Sequence, residues 1–210
     1  MIGNQCKICK IYDDVFDAEY LYEIFAILQD KLQYRSDNTA NRNTWPYGKT
    51  GTHKLFGSKI FFRQSVNKII YVNNEYIDKF YDLFSFICTL ENLNPDIQYL
   101  ERVDVNLQHS GCNGTLHIDA NPHDTTTKTF MIMANPVWKK EWGGAFEIFN
   151  QDRKEILERH EYVPGRVIVF PAHLPHRGLG AELNFPYAYR YSIVFGVRNL
   201  FSYDWIVTNV

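Results

Sequence analysis

A histidine and a carboxylate two residues apart, His117 and Asp119, are the residues of this sequence that most directly suggest chemistry. On a β-strand alternate side chains point to the same face, so both would project from one short element. They would offer a nitrogen and an oxygen ligand to a single ion. A histidine from a distant strand would complete three ligands on one side of an octahedral metal and leave the other side open. Two histidines and one carboxylate with open positions are typical of non-haem iron(II) centres.

The segments that follow this motif occur in a specific order. Along the chain they are Met131–Trp138, Glu141–Ile148, Pro164–Pro171, Pro175–Gly178 and Arg190–Ser192. With His117-x-Asp119 in front of them, this order resembles the 2-oxoglutarate- and Fe(II)-dependent dioxygenases, in particular the prolyl 4-hydroxylase-like branch, over roughly residues 98–198. The resemblance implies a double-stranded β-helix, the cupin-like jelly roll, with the metal held near one mouth and N-terminal helices beside it.

The resemblance also implies which residues hold the metal. His117 and Asp119 match the family's H-x-D motif. The family's second histidine follows a Phe-Pro segment, often as Pro-His-Arg, and this pattern selects His176, whereas His173 would lie in the preceding turn. The expected iron ligands are therefore His117, Asp119 and His176, and these three are also expected to be catalytic.

Arg190 and Ser192 match the family's R-x-S motif and are expected to bind the cosubstrate. A planar guanidinium can grip a carboxylate with two parallel hydrogen bonds, so Arg190 would hold the distal carboxylate of 2-oxoglutarate and would count among the catalytic residues. Gln108 stands where the family often has a tyrosine and would hydrogen-bond the cosubstrate as well. The spacing from His176 to Arg190 is longer than the compact pattern, with Glu182–Tyr187 as the insertion.

The activity that the resemblance implies is oxidative. Fe(II), 2-oxoglutarate and O2 would be required, with ascorbate as a possible reductant, and succinate and CO2 would be released as an unactivated C–H bond is hydroxylated. A peptidyl proline or a related residue is the favoured substrate. A free amino acid, another small metabolite or a modified nucleobase stays open, as does a non-catalytic jelly-roll module for binding or assembly.

Composition excludes several classes of protein. The 210 residues, 45% hydrophobic and 16% aromatic, indicate one globular, β-rich domain. A net charge of −2 provides no basic field for nucleic acid. No apolar run has the length of a membrane span or of a signal peptide core, so the expected location is the cytoplasm. The oligomeric state is left open.

The spacing of apolar residues along the chain predicts the helices and strands that position these residues. Together these elements predict an α+β, mainly β fold. Residues 1–97 would be a supporting layer of helices and strands, with the helices from Asp17 to Asp30 and over Asn74–Leu90. Residues 98–198 would form a catalytic jelly-roll core, and residues 199–210 a tail. Alternation predicts a half-buried strand near residues 103–108. Further strands are predicted at Thr115–Asp119, Lys128–Ala134, Ala145–Phe149, Arg166–Phe170, Gly178–Ala181 and Tyr189–Val197.

Cys6 and Cys9 form a C-x-x-C motif, which can be half a zinc site or a redox pair. The sequence has no second C-x-x-C, and a strand over Cys6–Tyr12 would turn the two thiols to opposite faces. We therefore expect reduced cysteines that pack as small apolar residues.

Two features could border the substrate. The segment Ser36–Thr52, which contains Trp45, has loop composition, and it is interpreted either as a lid or as an ordinary surface loop. Trp138 and Trp142 would line the substrate entrance or serve as packing.

Overall fold

The computed structural model describes residues 8–35, 55–65, 68–71 and 74–198. The predicted loop at Ser36–Thr52 and the C-terminal tail lie outside these ranges. In the described part, two α-helices and ten strands follow in the order β1 (Lys10–Tyr12), α1 (Ala18–Asp30), β2 (Phe56–Ser65), β3 (Lys68–Tyr71), α2 (Ile77–Leu90), β4 (Leu100–Gln108), β5 (Lys128–Met133), β6 (Phe146–Phe149), β7 (Ile156–His160), β8 (Val167–Pro171), β9 (His176–Gly178) and β10 (Arg190–Val197).

The strands form two antiparallel sheets. The larger sheet has the order β1-β8-β5-β10-β4-β2-β3, and the smaller sheet has the order β7-β6-β9. Apolar residues from β5, β8 and β10 of the larger sheet and from β6 of the smaller one share one buried cluster, so the two sheets face each other. The predicted mainly β jelly roll with two helices is confirmed.

Helices α1 and α2 cover one face of the larger sheet, which we call its outer face. Helix α1 begins where the sequence predicts, because the Asp17 carboxylate accepts a hydrogen bond from the backbone N–H of Tyr20 at 2.7 Å. Its residue Leu28 is fully buried. From α2, Phe84 stacks on Phe195 of β10 with ring centroids 6.0 Å apart. Among the described residues, no helix combines the length and the apolarity needed to cross a membrane.

Alternation along the central strands separates this outer face from an inner face directed at the smaller sheet. On β10, Ile193 and Phe195 join the cluster under the helices, whereas Ser192 and Val194 line a cavity between the sheets. The same division runs along β4. Its outer residues are Val103 and Val105, and its inner residues Arg102, Asp104, Asn106 and Gln108 line the cavity.

Some predicted strands are wrong. Thr115–Asp119 is not a strand, and within it only His117 makes a bridge. The segment follows the Gly111–Gly114 turn region and is joined to neighbouring segments by a few single hydrogen bonds, so no ladder of paired residues forms. The strand predicted at Gly178–Ala181 lies instead at His176–Gly178. No positions were predicted for the strands β2 and β3 of the supporting layer, and β7 was not expected. Within the described residues, which begin at residue 8, the first strand covers Lys10–Tyr12.

Candidate active site

A cavity of about 560 Å³ between the two sheets collects most of the predicted site residues. The inner faces of β4, β5 and β10 form one wall, and β6, β8 and β9 contribute to the rest. His117, Asp119, His176, Arg190, Ser192 and Gln108 all line it. The six residues that the sequence analysis selected are therefore brought together in one cavity.

His117, Asp119 and His176 form a compact group of possible metal ligands. Nε2 of His117 lies 3.5 Å from Oδ1 of Asp119, and Nε2 of His176 lies 3.4 Å from Oδ2. The backbones of the two histidines pair with each other, with N–O distances of 3.1 and 2.9 Å. The N–H of Asp119 donates to the carbonyl of Ala172 at 2.8 Å. His117 and Asp119 were expected to share one face of a strand. Instead, the bridge to His176 and the hydrogen bond to Ala172 bring their side chains together.

Backbone carbonyls hold both imidazole rings in a defined orientation. Nδ1 of His117 lies 2.8 Å from the carbonyl oxygen of Thr115, and Nδ1 of His176 lies 2.8 Å from that of Leu174. A carbonyl can only accept, so each Nδ1 carries the proton and donates it. Each Nε2 then keeps a free lone pair, and this lone pair is directed toward Asp119, where a metal ion would be bound. Hydrogen bonds from Nδ1 to a carbonyl commonly orient metal-binding histidines in this way.

The carboxylate of Asp119 is fixed by two donors. Thr129 Oγ1 donates to Oδ2 at 2.8 Å, and Arg102 Nη2 donates to Oδ1 at 2.6 Å. Burial acts to raise the pKa of Asp119, but the charge of Arg102 outweighs it and holds that pKa well below its usual range. Burial lowers the pKa of His176. The group therefore presents an anionic oxygen and a neutral imidazole, which suits a divalent cation.

Arg190 occupies another part of the cavity and is 1% exposed. Its Nε donates to the carbonyl of Gly144 at 2.9 Å, and its Nη1 donates to Gln108 Oε1 at 2.7 Å and contacts Ser192 Oγ at 3.3 Å. Its Nη2 is buried with no hydrogen-bond partner among the described residues. Burial lowers the pKa of Arg190. A buried guanidinium with an unpartnered N–H group beside a cavity matches the requirement for binding a carboxylate.

Gln108 uses its whole amide on protein groups. Its Oε1 accepts from Arg190, and its Nε2 donates to the carbonyls of Cys112 and Gly178, each at 3.0 Å. Both of its N–H donors are therefore engaged. Direct contact between Gln108 and a cosubstrate stays a prediction, and the contacts that the structure shows orient Arg190 instead.

The remaining candidates lie outside the cavity lining. His173 is in the turn before β9, and Trp138 donates from Nε1 to the carbonyl of Gly143 at 2.9 Å. The Trp138 ring packs on Tyr162 and Trp142, with centroids 4.5 and 5.3 Å away. Gly144 has φ +80°, and a Cβ there would lie 2.9 Å from the Trp138 ring. Packing is the role that these contacts support for Trp138.

Sequence reasoning missed the polar row of β4. Arg102, Asp104 and Asn106 line the cavity, and Arg102 links Asp104 to Asp119, with Nη1 3.0 Å from Asp104 Oδ2. The alternation that gives this row was visible, but it was interpreted only as the mark of a half-buried strand. The signal that distinguishes the two cases is Gln108, because a strand whose polar face ends at a residue predicted to bind the cosubstrate is expected to direct that face inward.

Comparison with known proteins agrees with this geometry. Residues 104–197 match the sequence profile of the 2OG-Fe(II) oxygenase superfamily. No curated protein matches the chain. An oxidoreductase of the 2OG-Fe(II) oxygenase family from Burkholderia pseudomallei has a similar structure, with a TM-score of 0.65, 19% identity and coverage of 91% of this chain and 85% of that chain.

Two prolyl hydroxylases also share the fold. One, from Trichoplax adhaerens in complex with a hypoxia inducible factor oxygen degradation domain peptide fragment, has a TM-score of 0.59 and 16% identity, and covers 91% of this chain and 83% of that one. The other is the viral collagen prolyl hydroxylase from Paramecium Bursaria Chlorella virus-1 in its 2OG complex, with a TM-score of 0.53 and 16% identity, covering 92% and 97%.

Fe(II), 2-oxoglutarate and O2 are the metal and cosubstrates that this family implies, and the donors in the cavity fit them. The His-Asp-His group suits the metal, and the unpartnered Nη2 of Arg190 suits a carboxylate. The protein is accordingly a 2-oxoglutarate-dependent dioxygenase. Residues 104–197, which contain all six candidate site residues, carry the match to the 2OG-Fe(II) oxygenase superfamily.

Proposed function

We propose that this dioxygenase hydroxylates an unactivated C–H bond of a peptidyl proline or a related residue, releasing succinate and CO2. The observation that carries the oxidative half of the proposal is the presence of the ligand group and the unpartnered Arg190 Nη2 in one cavity. The similar fold of the Trichoplax adhaerens prolyl hydroxylase, solved with a peptide, supports a peptide substrate.

Strand β9 connects the two ends of the proposed cosubstrate site, the proposed metal ligand His176 and the region beside Arg190. His176 and Gly178 are alternate residues of this strand, so they share a face and lie about 6–7 Å apart. A Cβ on Gly178 would lie 3.1 Å from both Arg190 Nη1 and Gln108 Oε1. The glycine thus leaves room for the guanidinium beside the strand that carries a metal ligand. A five-carbon dicarboxylate can span such a distance with one end at Arg190.

The residues of the chain would hold, orient and shield the reactants. When bound, the iron supplies the activation of dioxygen that couples decarboxylation of 2-oxoglutarate to hydroxylation. Arg190 would bind the distal carboxylate, with Ser192 as an additional donor. Thr129 and Arg102 keep Asp119 oriented. An apolar wall excludes water from the reacting centre, and its members are Met131, Phe146, Phe170 and Val194.

In the test, the purified protein is incubated with Fe(II), 2-oxoglutarate and ascorbate. It is then given candidate substrates from four classes: proline-containing peptides, free amino acids, small metabolites and modified nucleobases. We expect succinate formation to rise with a proline-containing peptide, and mass spectrometry to find one added oxygen on the proline. The His176→Ala variant is the control, because it lacks a proposed metal ligand.

Three other outcomes are informative. Oxygen added to a free amino acid or metabolite, and to no peptide, would replace the peptidyl substrate while keeping the oxidative chemistry. Oxygen added to a nucleobase would do the same. Absence of both Fe(II) and 2-oxoglutarate binding would instead favour a non-catalytic binding module.

A further inference from the structure

A second group of possible metal ligands lies outside the active-site cavity. It consists of Cys9, Glu158 and His160, and one ligand atom from each lies within 4.8 Å of the others. We propose that these three residues bind a divalent transition-metal ion, with Zn²⁺ as the best chemical fit, and that the ion joins the edges of the two sheets. This proposal does not depend on the substrate or on the activity of the cavity.

The backbone places the three side chains at a junction between sheets. Glu158 and His160 are alternate residues of β7 and share a face, and His160 Nε2 lies 2.9 Å from Glu158 Oε2. Cys9 directly precedes β1 and is 2% exposed. The N–H of Ile8 donates to Glu158 Oε1 at 2.5 Å, so the two segments are already in contact.

The chemistry of the three ligands selects the ion. A thiolate, an imidazole and a carboxylate are the donors that Zn²⁺ accepts in tetrahedral sites, and three protein ligands leave the fourth position for water. A sulfur ligand disfavours Mg²⁺ and Ca²⁺, which prefer oxygen. Burial and the neighbouring Glu158 raise the pKa of the Cys9 thiol, so the ion must displace the thiol proton when it binds.

This assignment gives the C-x-x-C motif a different meaning. The sequence offers no second C-x-x-C to complete a zinc site, and a structural partner was therefore not expected for Cys9. The structure supplies partners from β7, about 150 residues away along the chain. The local sequence around Cys9 cannot indicate these ligands, because only the folded structure brings them close to Cys9.

An ion in this position would link two sheet edges and stabilise the folded protein. Strand β1 pairs only with β8, and β7 pairs only with β6, so each is the edge of its sheet in the described structure. An ion held by Cys9 and by two residues of β7 would link these edges. Because the unfolded chain does not preform such a site, metal binding would raise the melting temperature.

Cobalt(II) titration of the metal-free, fully reduced protein tests the proposal. We expect the wild type to bind two Co²⁺ ions per chain and to develop a near-ultraviolet sulfur-to-cobalt charge-transfer band. The His-Asp-His group contains no sulfur and cannot produce that band, so the band reports on the second site alone. The His176→Ala variant should lose the cavity ion and keep the band.

Matched variants decide the ligands. Cys9→Ala should lose the band and one Co²⁺ ion while 2-oxoglutarate decarboxylation stays unchanged, whereas Cys88→Ala, which removes another buried thiol, should keep the band. If Cys9→Ala does not fold, His160→Gln provides the same test from a half-buried position and should weaken Co²⁺ binding at this site at least tenfold. Wild-type protein without the band, or a band that survives in Cys9→Ala, would overturn the proposal.

Discussion

The two faces of the larger sheet are built from the same strands but do different work. On the outer face, Ile193 and Phe195 pack under the helices in an apolar cluster. On the inner face, the neighbouring residues Ser192 and Arg190 are just as buried, yet they are polar and line the cavity. Burial alone therefore does not distinguish core from active site. The comparison teaches that strand register assigns stability to one face and chemistry to the other, and substitutions should separate the two.

The largest effect is expected from the His176→Ala variant. His176 belongs to β9 of the smaller sheet and lines the cavity that the inner face borders. Loss of a partner of a metal ligand typically costs about 10–100-fold in affinity or activity, so loss of a ligand should cost more than about 100-fold in Fe(II) binding and turnover. Metal titration and succinate formation measure it. His173→Ala is the matched control and should retain most of both. A more damaging His173→Ala would place the ligand in the turn instead.

On the outer face, Phe84→Ala should reverse this pattern. Phe84 is 1% exposed and stacks on Phe195, and removal of a buried phenylalanine costs about 3–5 kcal/mol of unfolding free energy. Chemical denaturation measures the loss, and 2-oxoglutarate decarboxylation per folded molecule should be unchanged. Tyr22→Ala, on the exposed side of α1, should change the unfolding free energy by less than about 0.5 kcal/mol. A Phe84→Ala protein of normal stability but low activity would contradict the division of the two faces.

Arg190→Ala should act on cosubstrate binding. Charge-assisted hydrogen bonds contribute about 1.5–3 kcal/mol each, so 2-oxoglutarate affinity should fall by about tenfold to more than a hundredfold. Calorimetry with the metal-loaded protein measures this, and Fe(II) affinity should stay nearly intact. Arg190→Lys should recover part of the loss, because it keeps the charge without the planar fork.

Unchanged 2-oxoglutarate affinity in Arg190→Ala would place the carboxylate elsewhere. Arg166 and Arg177 are poor substitutes, since Arg166 pairs with Asp13 and Arg177 with Glu147. Arg153 lines the cavity and would then be the next residue to replace.

Gln108→Leu separates direct binding from positioning. Its loss removes the acceptor for Arg190 Nη1, a hydrogen bond worth about 1.5 kcal/mol or more, so we expect 2-oxoglutarate affinity to fall roughly tenfold. If Gln108 acts through Arg190, the double variant Gln108→Leu/Arg190→Ala should bind no more weakly than Arg190→Ala alone. Additive losses would instead mean that Gln108 contacts the cosubstrate itself.

The smallest effect is expected in the turn before β5, which belongs to neither face. Asp124 accepts hydrogen bonds from the N–H groups of Thr126 and Thr127 at 2.8 and 3.1 Å. Although burial acts to raise the pKa of Asp124, these bonds and those from the two threonine hydroxyls lower it to about 2. Asp124→Ala should cost about 1 kcal/mol of unfolding free energy at neutral pH.

The sign of its pH dependence follows from that direction. A carboxylate with a lowered folded-state pKa stabilises the protein fully above its unfolded pKa, near 3.8, and loses this contribution as the pH falls through about 2. The difference in unfolding free energy between wild type and Asp124→Ala should therefore shrink as the pH falls below about 4. A difference that stays constant with pH would assign the effect to the turn geometry instead of the charge.

Local patterns predicted a large part of this molecule. The helix that begins after Asp17 follows from a capping residue and apolar spacing, both of which lie within one segment. The group of His117, Asp119 and His176 follows from motifs whose order is preserved along the chain. In each case the information is contained in residue type and spacing.

What could not be predicted depends on contacts between distant segments. Strand β7 has several exposed residues, including Ile156 and Leu157, and so lacks a clear alternation. Thr115–Asp119 was expected to be a strand because its residue types suit one, but it finds a pairing partner only at His117. The neighbours of Cys9 come from the far end of the chain, and no spacing rule connects them.

The reciprocal hydrogen bonds between His117 and His176 have a consequence for how such a protein can diverge. The separation of the two rings is set by a single pair of facing residues, and not by the length of chain that connects them. Turns elsewhere in that connection, such as the one at residues 150–155, are then free to accept insertions and exchanges without displacing the rings. For directed evolution, this makes them the segments to randomise first when a new specificity is sought.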